Sequence, residues 1–574
     1  MMEKIKGFLK KFVGIALPYW RTEASRYDWL RLAVIIILTV FNVYLNIQFN
    51  EWKNAFYTAL QNYNYDQVIQ EMIRFIKLAA LAIIVAMYTF YLQQIIALRW
   101  RKWLSEVFID DWLHDKKYYL SELKDEKTDN PDQRVSEDIK IFIEKALKFS
   151  IGILNAALTF GCFVAILWDL SGVITFTVAG REVRIYGYIV WIAFAYAIIG
   201  TYITHKVGNK LSIFHYNQQR YEADFRFSMM RLKENSESIA LYKGEKAEEN
   251  ILLNRLRFLL ENFKLIIKKE RSLTAIKSGY YQMASIFPVL VGVPLYMKNS
   301  INLGGLMQSA SAFGRVQGSL SYFIMLYTDF AEWRSVIDRL NDFQKQLYLV
   351  EKVNTEIENK YLISTKEHFQ MESFGLLTPE GNVLLEKEDI EFSEGENIII
   401  EGINGQGKST LIRSLAGIWP FFRGNIKIPA SKDMLFLSQK TYLPLGSLAE
   451  ILMYPDVEVS CDEAELIGLL NQFQLSYLTD KLNVKADWGN ILSTGEQQKI
   501  AIIRACIRKP KWLFLDEATS GIDGTAEEKI YEYLTDFLCE TTIISVAHRK
   551  SIEKFHKKKI EIKDKKLKYS SIFI

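Results

Sequence analysis

Cysteine is scarce in this chain: four in 574 residues, at Cys162, Cys461, Cys506 and Cys539. They are scattered, with no CxxC and no Cys/His cluster, which argues against a disulfide framework and a structural zinc site. Proline and glycine are also few, 10 and 30, while 13% of the residues are aromatic. Collagen-like and disordered chains have the opposite balance. Charge of one sign is missing too. The 71 Lys and Arg nearly cancel the 67 Asp and Glu, leaving +4, too little to argue for a nucleic-acid partner. The six histidines offer no metal site, because His205 and His215 lie too far apart for one helical face pair and His114 is isolated.

What the chain does have is long apolar runs, and all of them fall in its first 330 residues. A bilayer core about 30 Å thick needs about 20 apolar residues in a helix. Leu32–Asn50 holds 19 residues without a charge, Leu78–Leu98 holds 21, and Phe149–Trp168, Ile185–Thr204 and Ser278–Met297 hold 20 each. A sixth run, Leu303–Thr328, is interrupted by Arg315. Lys and Arg number seven in 1–31, three in 51–77, eleven in 99–148, two in 169–184 and fifteen in 205–277. This alternation puts the N-terminus and the long connecting segments in the cytoplasm. Six spans return the chain to that side. The segments 99–148 and 205–277 are charged and poor in Gly and Pro, and read as helices extending the spans. Phe12–Trp20 contains Pro18 and is followed by Arg21 and Glu23 rather than a cleavage site. An interfacial helix, with Lys4, Lys6, Lys10 and Lys11 toward lipid headgroups, is expected there rather than a signal peptide.

The sixth run carries a polar stripe. Gln308, Ser311, Arg315, Ser319 and Tyr322 recur at spacings of three and four and share a helix face. Polar groups in a span face the bundle interior or a water-filled cavity, so this face is read as lining a substrate pathway. The alternative is a structural Arg315 paired with a carboxylate on a neighbouring helix.

After residue 340 the composition changes. A charged linker, 341–366, precedes strand-like runs that fill 367–574. The apolar Ile398-Ile399-Ile400 runs into Gly402-Ile403-Asn404-Gly405-Gln406-Gly407-Lys408-Ser409-Thr410, and a helical pattern follows. This is GxxxxGK[ST]. Its backbone N–H groups wrap phosphates, Lys408 reaches the β- and γ-phosphates, and the Ser409 hydroxyl binds Mg²⁺. Further on, Trp512-Leu513-Phe514-Leu515 reads as a buried strand ending in Asp516 and Glu517. Asp516 is placed to hold the metal and Glu517 to polarise the attacking water, which completes the set phosphoryl transfer needs.

Leu492-Ser493-Thr494-Gly495-Glu496 resembles the signature sequence of ATP-binding-cassette (ABC) proteins, 24 residues before Asp516. Gln439 is similar to the family's Q-loop glutamine, Ser520-Gly521-Ile522-Asp523 to its D-loop, and His548 to its switch histidine. By this resemblance Ser493, Gly495, Glu496 and Asp523 belong to the nucleotide site, Gln439 also to the metal, and His548 contacts the γ-phosphate. The motifs Asn130-Pro131-Asp132-Gln133-Arg134, Glu222-Ala223-Asp224-Phe225-Arg226-Phe227, Glu234–Tyr242, Ala331-Glu332-Trp333-Arg334 and Tyr442–Leu448 resemble one subgroup. It comprises the bacterial SbmA/BacA-like transporters with a fused nucleotide-binding domain and the peroxisomal and lysosomal D-subfamily half-transporters. The signature departs from the family pattern, LSTGE for LSGGQ, and Thr378 stands where an adenine-stacking aromatic is expected.

The resemblance implies an all-α six-span transmembrane domain of the exporter-type fold (1–340), followed by an α/β P-loop ATPase domain (367–574). It implies ATP and Mg²⁺ as cofactors. It also implies a homodimer in lipid, because one subunit's signature completes the other's ATP site. The expected cargo is a hydrophilic or amphipathic solute such as cobalamin or a peptide, moved inward across a bacterial inner membrane, with the ATPase domain in the cytoplasm and no nucleic-acid partner. Export, acyl-CoA or lipid transport on the same fold, and an ATP-gated channel or regulator are the alternatives.

Overall fold

The computed structural model describes residues 2–572, except 124–130, 179–180, 209, 298–299, 323–325, 359, 365–366, 430, 432 and 457–460. Two compact units result. One comprises Met1–Asp111 with Asp129–Lys345, and the other Trp112–Thr128 with Gln346–Ile574.

The first unit is built of long helices: α1 (Met2–Arg21), α2 (Arg26–Gln61), α3 (Tyr65–Leu113), α4 (Lys117–Leu123, which belongs to the second unit), α5 (Ile139–Ser171), α6 (Tyr188–Gly208), α7 (Leu211–Glu234), α8 (Ser236–Tyr242), α9 (Glu245–Met297), α10 (Leu303–Leu320) and α11 (Tyr327–Glu358). Among the described residues, four helical stretches are long and apolar enough to cross a membrane: Glu23–Gln61, Tyr65–Leu123, Pro131–Ser171 and Tyr188–Glu234. Their apolar faces are mostly not covered by protein; in the second, 6% of the apolar window is buried. Such helices are stable where lipid takes the place of a core. The fifth and sixth runs are helical as well. Pro288 and Pro294 lie inside α9, and Arg315 lies in α10. The part of the sixth run at 323–325 lies outside the described residues.

The membrane half is helical as expected, and between its third and fourth spans Val173–Val178 and Arg181–Tyr186 add a short antiparallel hairpin, β1–β2. In Val173–Val178 apolar residues alternate with threonines, the period of a strand. The fourth span therefore starts at Tyr188, not Ile185. The charged run after 340 begins as helix, because α11 continues to Glu358. Residues 341–358 contain no Gly or Pro to stop a helix. The N-terminal helix packs on protein as well. Lys11 pairs with Asp338 at 2.5 Å, and Phe8 and Phe12 meet Trp333 with ring centroids 5.5 and 5.1 Å apart. The side chain of Lys4 lies outside the described residues.

Buried carboxylates fasten this unit. Asp28, fully buried, accepts from Tyr19, Arg31 and Arg99. Asp138, 1% exposed, accepts two bonds from Arg339 at 2.6 and 2.9 Å and another from Arg134. A carboxylate with several charge-assisted partners tolerates burial that an unpaired one does not.

The second unit carries two large sheets, besides a short antiparallel pairing of Gly446–Ser447 with Lys485–Ala486. A four-stranded sheet has the order β3 (Tyr361–Ile363), β7 (Phe422–Ile428), β4 (His368–Leu377), β5 (Val383–Ser393). A six-stranded sheet has the order β12 (Lys566–Ser571), β11 (Lys558–Lys563), β6 (Ile398–Gly402), β10 (Thr542–Val546), β9 (Trp512–Asp516), β8 (Met434–Leu437). β11, β6, β10, β9 and β8 are parallel. Every residue of β9 and β10 is buried, which is why β9 reads as an unbroken apolar run rather than an alternating one. Phe369 of β4 sets its ring edge-on to Trp512 and Phe514 at 5.0 and 5.5 Å and so joins the two sheets. The segment around α4 packs on this unit: Leu123 lies against its aromatic core, and Lys116 Nζ donates to the Ala416 carbonyl at 3.1 Å.

Candidate nucleotide site

The site forms at the C-terminal ends of parallel strands, where loops diverge. β6 ends at Gly402, the loop 403–407 follows, and α12 (Lys408–Leu415) begins. Gly402 has φ +151, and a Cβ there would lie 2.8 Å from the Ile562 carbonyl, so no other residue fits. Gln406 holds the loop, its Oε1 accepting from Ile403 N at 3.1 Å. Gly405 and Gly407 are left-handed, at φ +84 and +96, and Gly407 caps α12. Asn404 is exposed, and Thr410 is half-buried in the first turn of α12. Lys408 is buried, its Nζ donating to the Gly402 carbonyl at 2.6 Å and the Ile403 carbonyl at 3.3 Å. Burial pulls its ammonium below the usual value, against the opposing charges of Glu517 and Asp516.

Three other segments converge here. Ser409 Oγ donates to Asp516 Oδ1 at 2.8 Å. Gln439, in the loop after β8, donates to Glu517 Oε2 at 3.0 Å. His548, after β10, places Nε2 3.3 Å from Glu517 Oε1. Glu517 takes a left-handed backbone, φ +51, and its N–H bonds the Val546 carbonyl at 3.0 Å. A non-glycine residue in that region costs about 1–3 kcal/mol, and here it turns the carboxylate out of the strand toward Gln439 and His548. Burial raises the Asp516 carboxyl above its usual range; the Ser409 hydroxyl opposes this and the charge of Glu517 adds to it. A hydroxyl, a carboxamide and a carboxylate beside a phosphate loop are hard oxygen donors, the kind Mg²⁺ takes when phosphates supply the rest of its shell. Ser409, Gln439 and Asp516 therefore fit that ion.

The signature residues sit apart. Ser493 caps α13 (Thr494–Arg508) in a capping box with Glu496; its Oγ donates to the Glu496 carboxylate at 2.7 Å. Burial alone would raise the Glu496 carboxyl, but hydrogen bonds from Tyr477 and Ser493 outweigh it and hold the group below the usual range. Gly495 packs on the D-loop, where a Cβ would lie 2.8 Å from the Gly521 carbonyl. Asp523 caps α14 (Gly524–Phe537), its Oδ1 accepting from Thr525 N and Ala526 N at 3.0 and 2.9 Å. Among the described residues no hydrogen bond joins Ser493, Gly495, Glu496 or Asp523 to 402–410. Thr378 turns the β4–β5 connection, its N–H donating to the Asn382 carbonyl at 2.8 Å.

Two connectors carried no role in the sequence reading. Gln498, 1% exposed, donates to the Gln439 carbonyl at 3.1 Å and Ser520 Oγ at 3.3 Å and accepts from Gly521 N at 2.8 Å. It ties the Q-loop, signature helix and D-loop together. Arg549, next to His548, donates to the Ile522 carbonyl at 2.7 Å and Glu527 at 2.9 Å. The only signal for either was adjacency to a motif.

The polar stripe of α10 does not share one environment. Gln308 is buried against α2, its Oε1 accepting from Asn54 at 2.8 Å and its carbonyl from Asn50 at 3.0 Å. Ser311 accepts from Lys53 at 3.1 Å. Ser319 donates to the Val316 carbonyl. Arg315 is exposed and has no ion pair among the described residues. Tyr322 lines a cavity of about 670 Å³ with Thr39, Asn42, Gln93, Gln94 and Asn155.

A phosphate loop at a strand–helix junction, with a carboxylate pair at the end of a buried strand two places away in the same sheet, defines a P-loop ATPase, here fused behind apolar helices. The family model for ABC transporter transmembrane region 2 matches residues 15–297, and the family model described as ABC transporter matches 385–520. The inner membrane ABC transporter ATP-binding protein YddA of Escherichia coli is 31% identical over 550 residues, covering 96% of each chain. The chloroplastic ABC transporter D family member 2 of Arabidopsis thaliana is 28% identical, covering 97% of this chain and 86% of its own. The human lysosomal cobalamin transporter ABCD4 is 25% identical, covering 96% and 94%. The chain belongs to the ABC transporters. It is a half-transporter of exporter-type architecture, with one helical transmembrane region and one ATPase domain that uses ATP with Mg²⁺, and it is similar to D-family members along nearly its whole length.

Proposed function

We propose that two copies of this chain form an ATP-driven transporter of a hydrophilic or amphipathic solute, working inward across a bacterial inner membrane. The carrying observation is the division of the site. Lys408, Ser409, Gln439, Asp516, Glu517 and His548 converge in one chain, while Ser493, Gly495 and Glu496 have no bond to that chain's own phosphate loop. A second copy supplies the missing half, with the phosphate between its α13 N-terminus and this loop. Gly402, Asn404, Gly405, Gln406, Gly407 and Thr410 shape the cradle, and Asp523 fixes the D-loop beside it. Bound Mg²⁺ supplies charge neutralisation at the phosphates. Glu517 orients the attacking water and takes its proton, and His548 holds Glu517 and the γ-phosphate in register. The contact of Lys116 with the C-terminal end of α12 supplies a mechanical route from the phosphate loop to the α3–α5 connection.

The inward direction and the solute class are supported by the resemblance to the SbmA/BacA-like group, by the name of the human cobalamin relative, and by the amide and hydroxyl lining beside Tyr322. The inner-membrane relative in Escherichia coli supports the location. For the domain division 1–340, 341–366 and 367–574, the support is that the compact units part between Lys345 and Gln346. The test is uptake of labelled cobalamin and of a proline-rich peptide into vesicles of defined orientation, with ATP on the nucleotide-domain side. Accumulation of either is expected, and its loss in Glu517→Gln. Efflux, or movement of neither, would overturn the import reading.

A further inference from the structure

Lys53 on α2 and Arg315 on α10 are two positive charges that have no carboxylate partner among the described residues. α2 and α10 run antiparallel in close contact: Asn302 donates to Thr58, Leu303 N to Gln61, and Gly304 packs so tightly that a Cβ would lie 2.2 Å from the Asn54 carbonyl. Further along, Asn54 and Asn50 hold Gln308, and Lys53 Nζ donates to Ser311 Oγ at 3.1 Å. Arg315 stands one turn beyond Ser311 on the same helix face, close enough for its charge to act on that of Lys53. At 1.5 Å per residue it lies about 18 Å along α10 from Leu303.

Among the described residues no carboxylate pairs with either cation. α10 contains no Asp or Glu. Beyond Asp28, α2 contains only Glu51, which accepts from Gln48 at 3.1 Å and lies 3.8 Å from Arg74. Several other cations of the unit are neutralised: Arg31 and Arg99 by Asp28, Lys145 and Lys148 by Asp329, Arg339 by Asp138. Two adjacent cations in a membrane region are costly unless water or an opposite charge meets them. The α2–α10 ladder holds them in place regardless.

We propose that Lys53 and Arg315 form an anion-binding subsite that takes a carboxylate or phosphate group of the transported solute. It rests on the transport reading and narrows the cargo to a solute bearing such a group. Ser311 steadies the ammonium, and the guanidinium, with its planar fork of donors, grips two oxygens of one anionic group.

The test follows the reactivity of Lys53 without nucleotide. The full chain, in phosphatidylcholine nanodiscs at matched ionic strength, is acetylated with an N-hydroxysuccinimide ester. Lys53 is then followed by peptide mass spectrometry, with citrate, inorganic phosphate or glucose present. Citrate or phosphate should slow acetylation at least threefold and glucose should not, while the exposed Lys102 is unaffected. Protection should vanish in Arg315→Gln and persist in Arg315→Lys. Slowing by phosphatidylglycerol nanodiscs alone assigns the anionic group to a lipid headgroup; slowing only by added solute assigns it to a soluble cargo. Acetylation indifferent to both anions and to the anionic lipid overturns the subsite, as does equal protection in Arg315→Gln. Because no ATP is present, that result leaves ATP-driven transport standing; loss of vesicle uptake with Lys53 still protected sinks the transport reading alone.

Discussion

Acidification should weaken the ATPase domain through one buried histidine. His556 is 1% exposed. Its Nδ1 lies 2.9 Å from the Ile552 carbonyl, which can only accept, so Nδ1 carries the proton. Nε2, 3.0 Å from Ser545 Oγ, therefore accepts, and that hydroxyl in turn accepts from Tyr531 at 3.1 Å. The chain of bonds is satisfied only by a neutral ring. Burial pushes the His556 pKa down to about 4 from 6.5, against the bond to Ile552. The unfolded chain thus takes up a proton at a pH where the folded one does not. Stability is full above pH 6.5 and is lost as pH falls from there toward 4. Between pH 7.5 and 5 the loss is about 2 kcal/mol. At about 2–4 °C per kcal/mol for a domain of this size, that lowers Tm by about 4–8 °C. The assay is the apparent Tm of the purified full chain at one scan rate, for wild type and His556→Gln. Glutamine can donate to Ile552 and accept from Ser545 without titrating, so the variant should lack this part of the slope. Identical slopes in the two proteins would refute the neutral, buried ring.

Three further outcomes follow from the site. Glu517→Gln should lower ATP turnover about 10²- to 10⁴-fold and leave equilibrium ATP binding in place, as filter binding would show. Unchanged turnover removes Glu517 as the base. Gly495→Ala forces a Cβ to 2.8 Å from the Gly521 carbonyl; the expected cost of about 1–3 kcal/mol should appear as a fall in ATPase rate with nucleotide binding by the phosphate loop intact, and wild-type turnover would show that signature and D-loop need not touch. Asp523→Ala removes the α14 cap and should cost about 1 kcal/mol of domain stability, read as a Tm drop of about 2–4 °C; no drop would mean that water replaces the cap.

Much of the molecule was legible in local sequence. The length of the apolar runs demands a bilayer, the Lys and Arg bias orients them, and the glycine spacing at 402–407 with Lys408 and Ser409 announces a phosphate cradle before any contact is seen. These features depend on neighbours within a few residues. The β1–β2 hairpin escaped because its strands are short and one adjoins a longer apolar run. The continuation of α11 escaped because a charged stretch reads equally as solvated linker or solvated helix. At the site, Gln498 and Arg549 drew no attention, since each acts by reaching segments far away in the chain.

By itself, then, the sequence determined that this is a membrane-spanning ATPase of the ABC type and which residues surround the phosphates, because apolar length and loop glycines are local properties. Only the tertiary structure decided that Glu517 is turned toward Gln439 and His548, that the signature is tied to the D-loop rather than to its own phosphate loop, and that Gln308 is buried against α2 while Arg315, two turns further on, is exposed with no ion pair among the described residues. Those outcomes depend on which distant side chains packing brings within 3 or 4 Å, and no periodicity along the chain records that.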